Sequence, residues 1–162
     1  MIRQPPDQVP SEIAAAAEVG GTYVHADVTS PEDNERMYAE AFEAHGRIDI
    51  AFHNAGISPP DDDSILTTGL DAWRRVQEVN LTSVYLVSHH AIPAMADTGG
   101  GSVVNISSIG ALRSIGFAAY SAAKGGMISL SQEMAAQHGP QGIRVNVVVP
   151  GSVQTPRNQG TT

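Results

Sequence analysis

At 162 residues and 41% hydrophobic content, the chain is one domain's length and buries roughly 70% of its unfolded surface on folding. A formal charge of −8 without any Lys/Arg cluster argues against nucleic acid or an anionic membrane as the main partner, and the absence of cysteine excludes disulfides and thiol chemistry. No apolar run is long enough to span a membrane, and residues 1–6 lack the apolar core of a signal peptide, so the expected setting is the cytoplasm.

Residues 1–10 carry Pro5, Pro6 and Pro10 and are expected to form a loose lead-in. Residues 11–19 predict a short helix closed by Gly20 and Gly21. Residues 22–25 predict a short strand. Ser30 followed by Pro31 has the chemistry of an N-cap with proline at the first helical position, and opens a helix that runs to His45 and stops at Gly46. A second strand is expected over 48–52. Residues 58–68 form a polar loop in which Asp61, Asp62 and Asp63 are expected to be solvated. A long helix covers 70–96, with Pro93 limiting or bending its last turn. Gly99, Gly100 and Gly101 turn the chain into a strand over 102–106. Another helix follows over 117–138, then a strand over 143–149, and 157–162 form a loose end. Strands alternate with helices, and two strands are nearly continuous apolar runs. That pattern predicts an α/β fold of the doubly wound, Rossmann-like type, with a parallel sheet under helices, in one domain over 1–162.

Tyr120-Ser121-Ala122-Ala123-Lys124 carries the most chemical information. On a helix, a spacing of four leaves the phenol and the ammonium about 40° apart around the axis, on one face. A Lys cation beside a Tyr hydroxyl favours the phenolate, and such a tyrosine exchanges protons with a substrate oxygen near neutral pH. Alone, this pair occurs on many surface helices. Here it stands with Asn54-Ala55-Gly56 after an apolar strand, Asn80 inside the long helix, a strand from Gly101 ending in Ser107-Ser108, and Pro150-Gly151 after the last strand. In this order and spacing, the set resembles the short-chain dehydrogenase/reductase family from about Gly21 to Arg157.

The resemblance implies an NAD- or NADP-dependent oxidoreductase that interconverts a secondary alcohol and a ketone. Tyr120 would be the general acid/base, with Lys124 lowering its pKa and binding the nicotinamide ribose. A serine would hold the substrate oxygen. Counting along the strand from Gly101 favours Ser108, whereas counting thirteen back from Tyr120 gives Ser107; Ser108 is preferred. Asn80 would kink the long helix and hold a proton-relay water. Asn54, Ala55 and Gly56 would pass the adenosine ribose, with His53 standing where asparagine is often found. Asp27 and Val28 resemble a pair that contacts adenine, although Asp27 also suits a turn before a helix. Pro150, Gly151, Val153 and Thr155 resemble the loop that meets the nicotinamide carboxamide. The two long helices resemble those of a family dimer contact, which implies a homodimer or homotetramer.

The glycine-rich turn that binds the dinucleotide pyrophosphate in this family has no counterpart here. Nor does the segment that covers the substrate after the last strand. The expectation is therefore a family member truncated at both ends, with weak cofactor binding by this chain alone. The alternatives are a catalytically silent relative that only self-associates, or an isomerase or lyase on the same scaffold. The histidines show no metal-ligand spacing, so no metal site is expected. No serine-hydrolase elbow or nucleoside-triphosphate phosphate loop appears.

Overall fold

The computed structural model describes residues 9–153. After α1 (Val9–Glu18), the chain reaches Ser30, whose extended backbone and side-chain oxygen cap α2 (Pro31–His45) by accepting from the Asp33 N–H. Pro31 sits in the first turn, where no N–H is needed. Gly46 closes α2 at φ 70°, a left-handed conformation that suits glycine, and its N–H bonds the Phe42 carbonyl. Both ends of α2 match the sequence reading.

Three strands follow: β1 (Ile50–His53), β2 (Gly101–Ile106) and β3 (Ile143–Val148). They pair in parallel in the order β1-β2-β3. Between β1 and β2 lie α3 (Leu70–Gln77) and α4 (Ser83–Ala96). Between β2 and β3 lies α5 (Ala118–His138). This is the expected Rossmann-like α/β arrangement. Ala51, Val103 and Ile143 point to one side of the sheet and bury against Val84, Ala91, Met95 and Met127 of α4 and α5. On the other side Ile50, Phe52 and Val148 remain exposed. Among the described residues, no helix is long and apolar enough to cross a membrane.

A polar chain crosses the buried side of the sheet. Ser131 donates to the Met127 carbonyl at 2.6 Å and so accepts from Asn105 Nδ2 at 2.8 Å. Asn105 Oδ1 then accepts from His53 Nδ1 at 2.8 Å, which sets the neutral tautomer of the imidazole. Burial lowers the His53 pKa.

Two expectations are corrected. Residues 22–25 form no strand. Among the described residues β1 pairs on one side only, with β2, and an extended segment without a ladder partner leaves its backbone groups to other bonds. The His25 carbonyl, for example, accepts from Arg36 Nη2 at 2.6 Å. The first paired strand also begins at Ile50 rather than at residue 48. The long helix is present, but a π-helical turn (Glu78–Thr82) divides it into α3 and α4.

Candidate active site

In open parallel α/β sheets, ligand sites lie beyond the carboxyl ends of the strands. Here those ends run into His53-Asn54, Ile106-Ser107 and Val148-Val149, and α5 begins beside them. Tyr120 is half-buried in the first turn of α5, and Lys124 follows one turn later. Lys124 Nζ lies 5.8 Å from the centroid of the Tyr120 ring. The side chain is buried, and Nζ donates to the Ile106 carbonyl at 2.6 Å. Burial, with no carboxylate partner among the described residues to offset it, lowers its pKa to about 8. Lys124 is also the only lysine in the chain.

The two serines after β2 have different surroundings. Ser107 is buried, and its hydroxyl donates to the Lys124 carbonyl at 2.8 Å. That bond fastens the end of β2 to the middle of α5. Ser108 is half-buried and extended (φ −162°, ψ 155°), and its oxygen accepts from the Gly110 N–H at 3.1 Å, capping a short 3₁₀ turn (Ile109–Ala111). An acceptor bond of this kind leaves the Ser108 hydroxyl proton available to donate.

Asn80 is fully buried within the π-helical turn. Its Oδ1 accepts from the Ile57 N–H, and its Nδ2 donates to the Ile57 carbonyl, both at 2.7 Å. The side chain therefore clamps the loop after β1 by a two-point bond. The turn itself is widened because the Ser83 N–H reaches Glu78, five residues back. The Ser83 hydroxyl bonds the Val79 carbonyl at 2.6 Å, which satisfies a group that an ordinary helical turn would pair with the Ser83 N–H. The clamp draws Gly56 close: a Cβ there would lie 3.0 Å from Asn80 Oδ1 and 3.5 Å from Lys124 Nζ. Only glycine fits that approach without displacing one of these groups.

The remaining expected residues fall in two places. Asp27, Val28, Asn54, Ala55 and Gly56 line one cavity of about 600 Å³, together with Tyr23 and Ile57. Sequence-distant segments thus meet where the adenosine end of a cofactor was expected. Asp27 Oδ1 also accepts from the N–H and hydroxyl of Thr29, at 2.9 and 2.7 Å, so the turn-forming role of Asp27 is real. The Pro150 carbonyl accepts from the Ile109 N–H at 2.9 Å, which holds the segment after β3 against the turn that follows Ser108. Gly151 and Val153 are exposed, and Thr155 lies outside the described residues.

One residue of the polar loop departs from expectation. Asp62, expected to be solvated, is 1% exposed and accepts from the Ala119 and Tyr120 N–H groups at 2.9 and 2.8 Å. Its neighbours behave differently: Asp61 pairs with Arg75 at 2.7 Å, and the Asp63 side chain accepts from Thr67 at 3.0 Å. The available signal was the start of α5, where Phe117 occupies the N-cap position and has no side-chain oxygen to offer.

Comparison with known proteins identifies the family. A family model described as Enoyl-(Acyl carrier protein) reductase matches residues 4–162. The trans-4-hydroxycyclohexanecarboxylate dehydrogenase of Sinomonas cyclohexanicum is 43% identical over 141 residues, which cover 85% of this chain and 52% of the relative. A Xanthobacter autotrophicus protein named as inactive 2-(S)-hydroxypropyl-CoM dehydrogenase 2 is 42% identical, covering 86% of this chain and 61% of its own. The crystal structure of a Burkholderia xenovorans protein assigned to the short-chain dehydrogenase/reductases superposes with a TM-score of 0.86 at 32% identity, over 98% of this chain and 63% of that one. The chain thus spans little more than half the length of the curated relatives it matches. On the family match, these relatives and the shared fold, the chain belongs to the short-chain dehydrogenase/reductase family.

Proposed function

We propose that this chain carries the catalytic part of an NAD(P)-dependent oxidoreductase that interconverts a secondary alcohol and a ketone in the cytoplasm. The observation that carries the reading is the buried Lys124 ammonium beside the Tyr120 ring, at the carboxyl ends of a parallel sheet. A bound nicotinamide cofactor supplies or accepts the hydride. In reduction Tyr120 gives its phenolic proton to the carbonyl oxygen, and in oxidation it takes the hydroxyl proton. Ser108 donates a hydrogen bond to the same oxygen and orients it. The Lys124 cation stabilises the phenolate and binds the nicotinamide ribose. Asn80 holds the loop 54–57 in the shape that lets both ends of the site face one ligand.

The residues present suit such a cofactor, because Asn54, Ala55 and Gly56 line one cavity together with Asp27 and Val28, and Gly56 leaves room for a close backbone approach. Asn54, Ala55 and Gly56 would take the adenosine ribose, Asp27 and Val28 the adenine, and Pro150, Gly151, Val153 and Thr155 the nicotinamide carboxamide. Both NAD and NADP are compatible with these groups. The substrate is a small alcohol or ketone, and the outer sides of α4 and α5, where Tyr85 is exposed, are the proposed contact of a homodimer or homotetramer. A catalytically silent protein is the second reading, favoured by the relative that is itself named inactive. The Lys124 ammonium beside the Tyr120 ring favours the active one.

The test is Tyr120→Phe, which removes the hydroxyl and leaves the ring to pack. Turnover should fall by at least about 10²–10⁴-fold, the range that a general acid/base supplies, with the thermal midpoint unchanged. Equal turnover in the variant and the wild type would end this reading.

A further inference from the structure

We propose that Asp62 and Gln77 are positioning residues for Tyr120, which together clamp one peptide group from both sides. The inference rests on the catalytic role of Tyr120 proposed above.

The first intrahelical bond of α5 runs from the Ser121 N–H to the Phe117 carbonyl at 3.1 Å. The three N–H groups before it have no partner within the helix. All three are satisfied by the loop ahead of α3. The Ala118 N–H donates to the Asp63 carbonyl at 2.9 Å. The Ala119 and Tyr120 N–H groups donate to the two oxygens of Asp62, at 2.9 and 2.8 Å. A carboxylate that is 1% exposed carries a large desolvation cost. Here it is compensated by two backbone donors at the positive end of a 21-residue helix.

The opposite side of the same peptide is also held. Gln77 Nε2, at the end of α3, donates to the Ala119 carbonyl at 2.9 Å. The Ala119 carbonyl and the Tyr120 N–H belong to one planar unit. Asp62 thus holds its nitrogen side and Gln77 its oxygen side, from 58 and 42 residues away in sequence. Fixing that plane fixes the base from which the Tyr120 side chain extends. A cap at residue 117 would serve helix stability equally well, but it would not tie the tyrosine to the loop and to α3. α3 leads directly into the turn that contains Asn80, so one connected unit sets both the tyrosine and the loop after β1.

The experiment combines steady-state kinetics with amide hydrogen exchange on Asp62→Ala, Asp62→Asn and Gln77→Ala. Asp62→Ala should lower kcat by about 10–100-fold, the scale of a misplacement near 1 Å, and leave KM within about threefold. Asp62→Asn keeps one acceptor oxygen and should recover kcat to within about fivefold of wild type. In both variants exchange at Ala119 and Tyr120 should rise roughly tenfold or more, and exchange from Met127 onward should stay unchanged. Wild-type kcat in Asp62→Ala overturns the proposal, and so does exchange that rises evenly along all of α5. Should Asp62→Ala fail to fold, wild-type kcat in both Asp62→Asn and Gln77→Ala overturns it. Full turnover by Tyr120→Phe would instead defeat the catalytic reading, and local exchange at 119–120 in Asp62→Asn would still decide whether the clamp exists.

Discussion

Around Tyr120, the side-chain hydrogen bonds join residues far apart in sequence. Asp62 reaches Ala119 and Tyr120, Gln77 reaches Ala119, Asn80 reaches Ile57, and Lys124 and Ser107 link α5 to the end of β2. Ahead of and into α2, the bonds are mostly local. Asp27 serves Thr29, Asp33 bonds the Asp27 N–H, Ser30 caps Asp33, and Asn34 turns back to Val28 and Ser30. The second region therefore punctuates one helix from within a few residues of its own start. The first is an arrangement of loop, two helices and a strand, in which each backbone segment is held by a side chain from another. A change at the Ser30 cap should affect mainly α2, whereas a change near Tyr120 should alter the placement of several groups together.

The comparison sharpens most at the two serines. Ser108→Ala should lower turnover by about 10² or more, the scale of one lost donor to a reacting oxygen, with little change in stability. Ser107→Ala should do the opposite: it removes a buried bond to the Lys124 carbonyl, costing about 1–2 kcal/mol, and slows turnover by less than about tenfold. Kinetics and chemical denaturation of the two variants check this, and the reverse order would move the catalytic assignment to Ser107.

A second test concerns Lys124. Because the chain has no other lysine, ¹³Cε-lysine labelling gives one NMR resonance. It should titrate near pH 8 rather than at the ordinary 10.5. The folded chain releases this proton first, so between these values the unfolded state binds more protons. The contribution of the group to folding stability therefore rises with pH across that window and is at its lowest below pH 8. A midpoint above 10 would show that the ammonium is not desolvated.

The smallest effect belongs to the local region. Ser30→Ala removes the N-cap of α2 and should cost about 1 kcal/mol, read as a lowered denaturation midpoint. Turnover at saturating substrate should be unchanged. A tenfold loss of turnover would mean that the segment before α2 is coupled to the catalytic corner after all.

What local chemistry dictates was open to inspection in the sequence. The cap and stop of α2 at Ser30, Pro31 and Gly46 depend on neighbours a few residues away, and the structure places them as expected. The parallel α/β pattern follows from apolar strands alternating with helices, and Tyr120 and Lys124 share a helix face because helical geometry puts every fourth residue there. Tertiary structure decided the rest. Residues 22–25 have strand-like composition, but a strand exists only when another lies beside it, and pairing is not a property of four residues. Asp61, Asp62 and Asp63 are identical in composition, yet one pairs with Arg75, one is buried under α5, and one bonds a loop threonine. Their difference comes from which of them meets the open N–H groups of a helix that begins more than fifty residues later, a contact that only folding brings about.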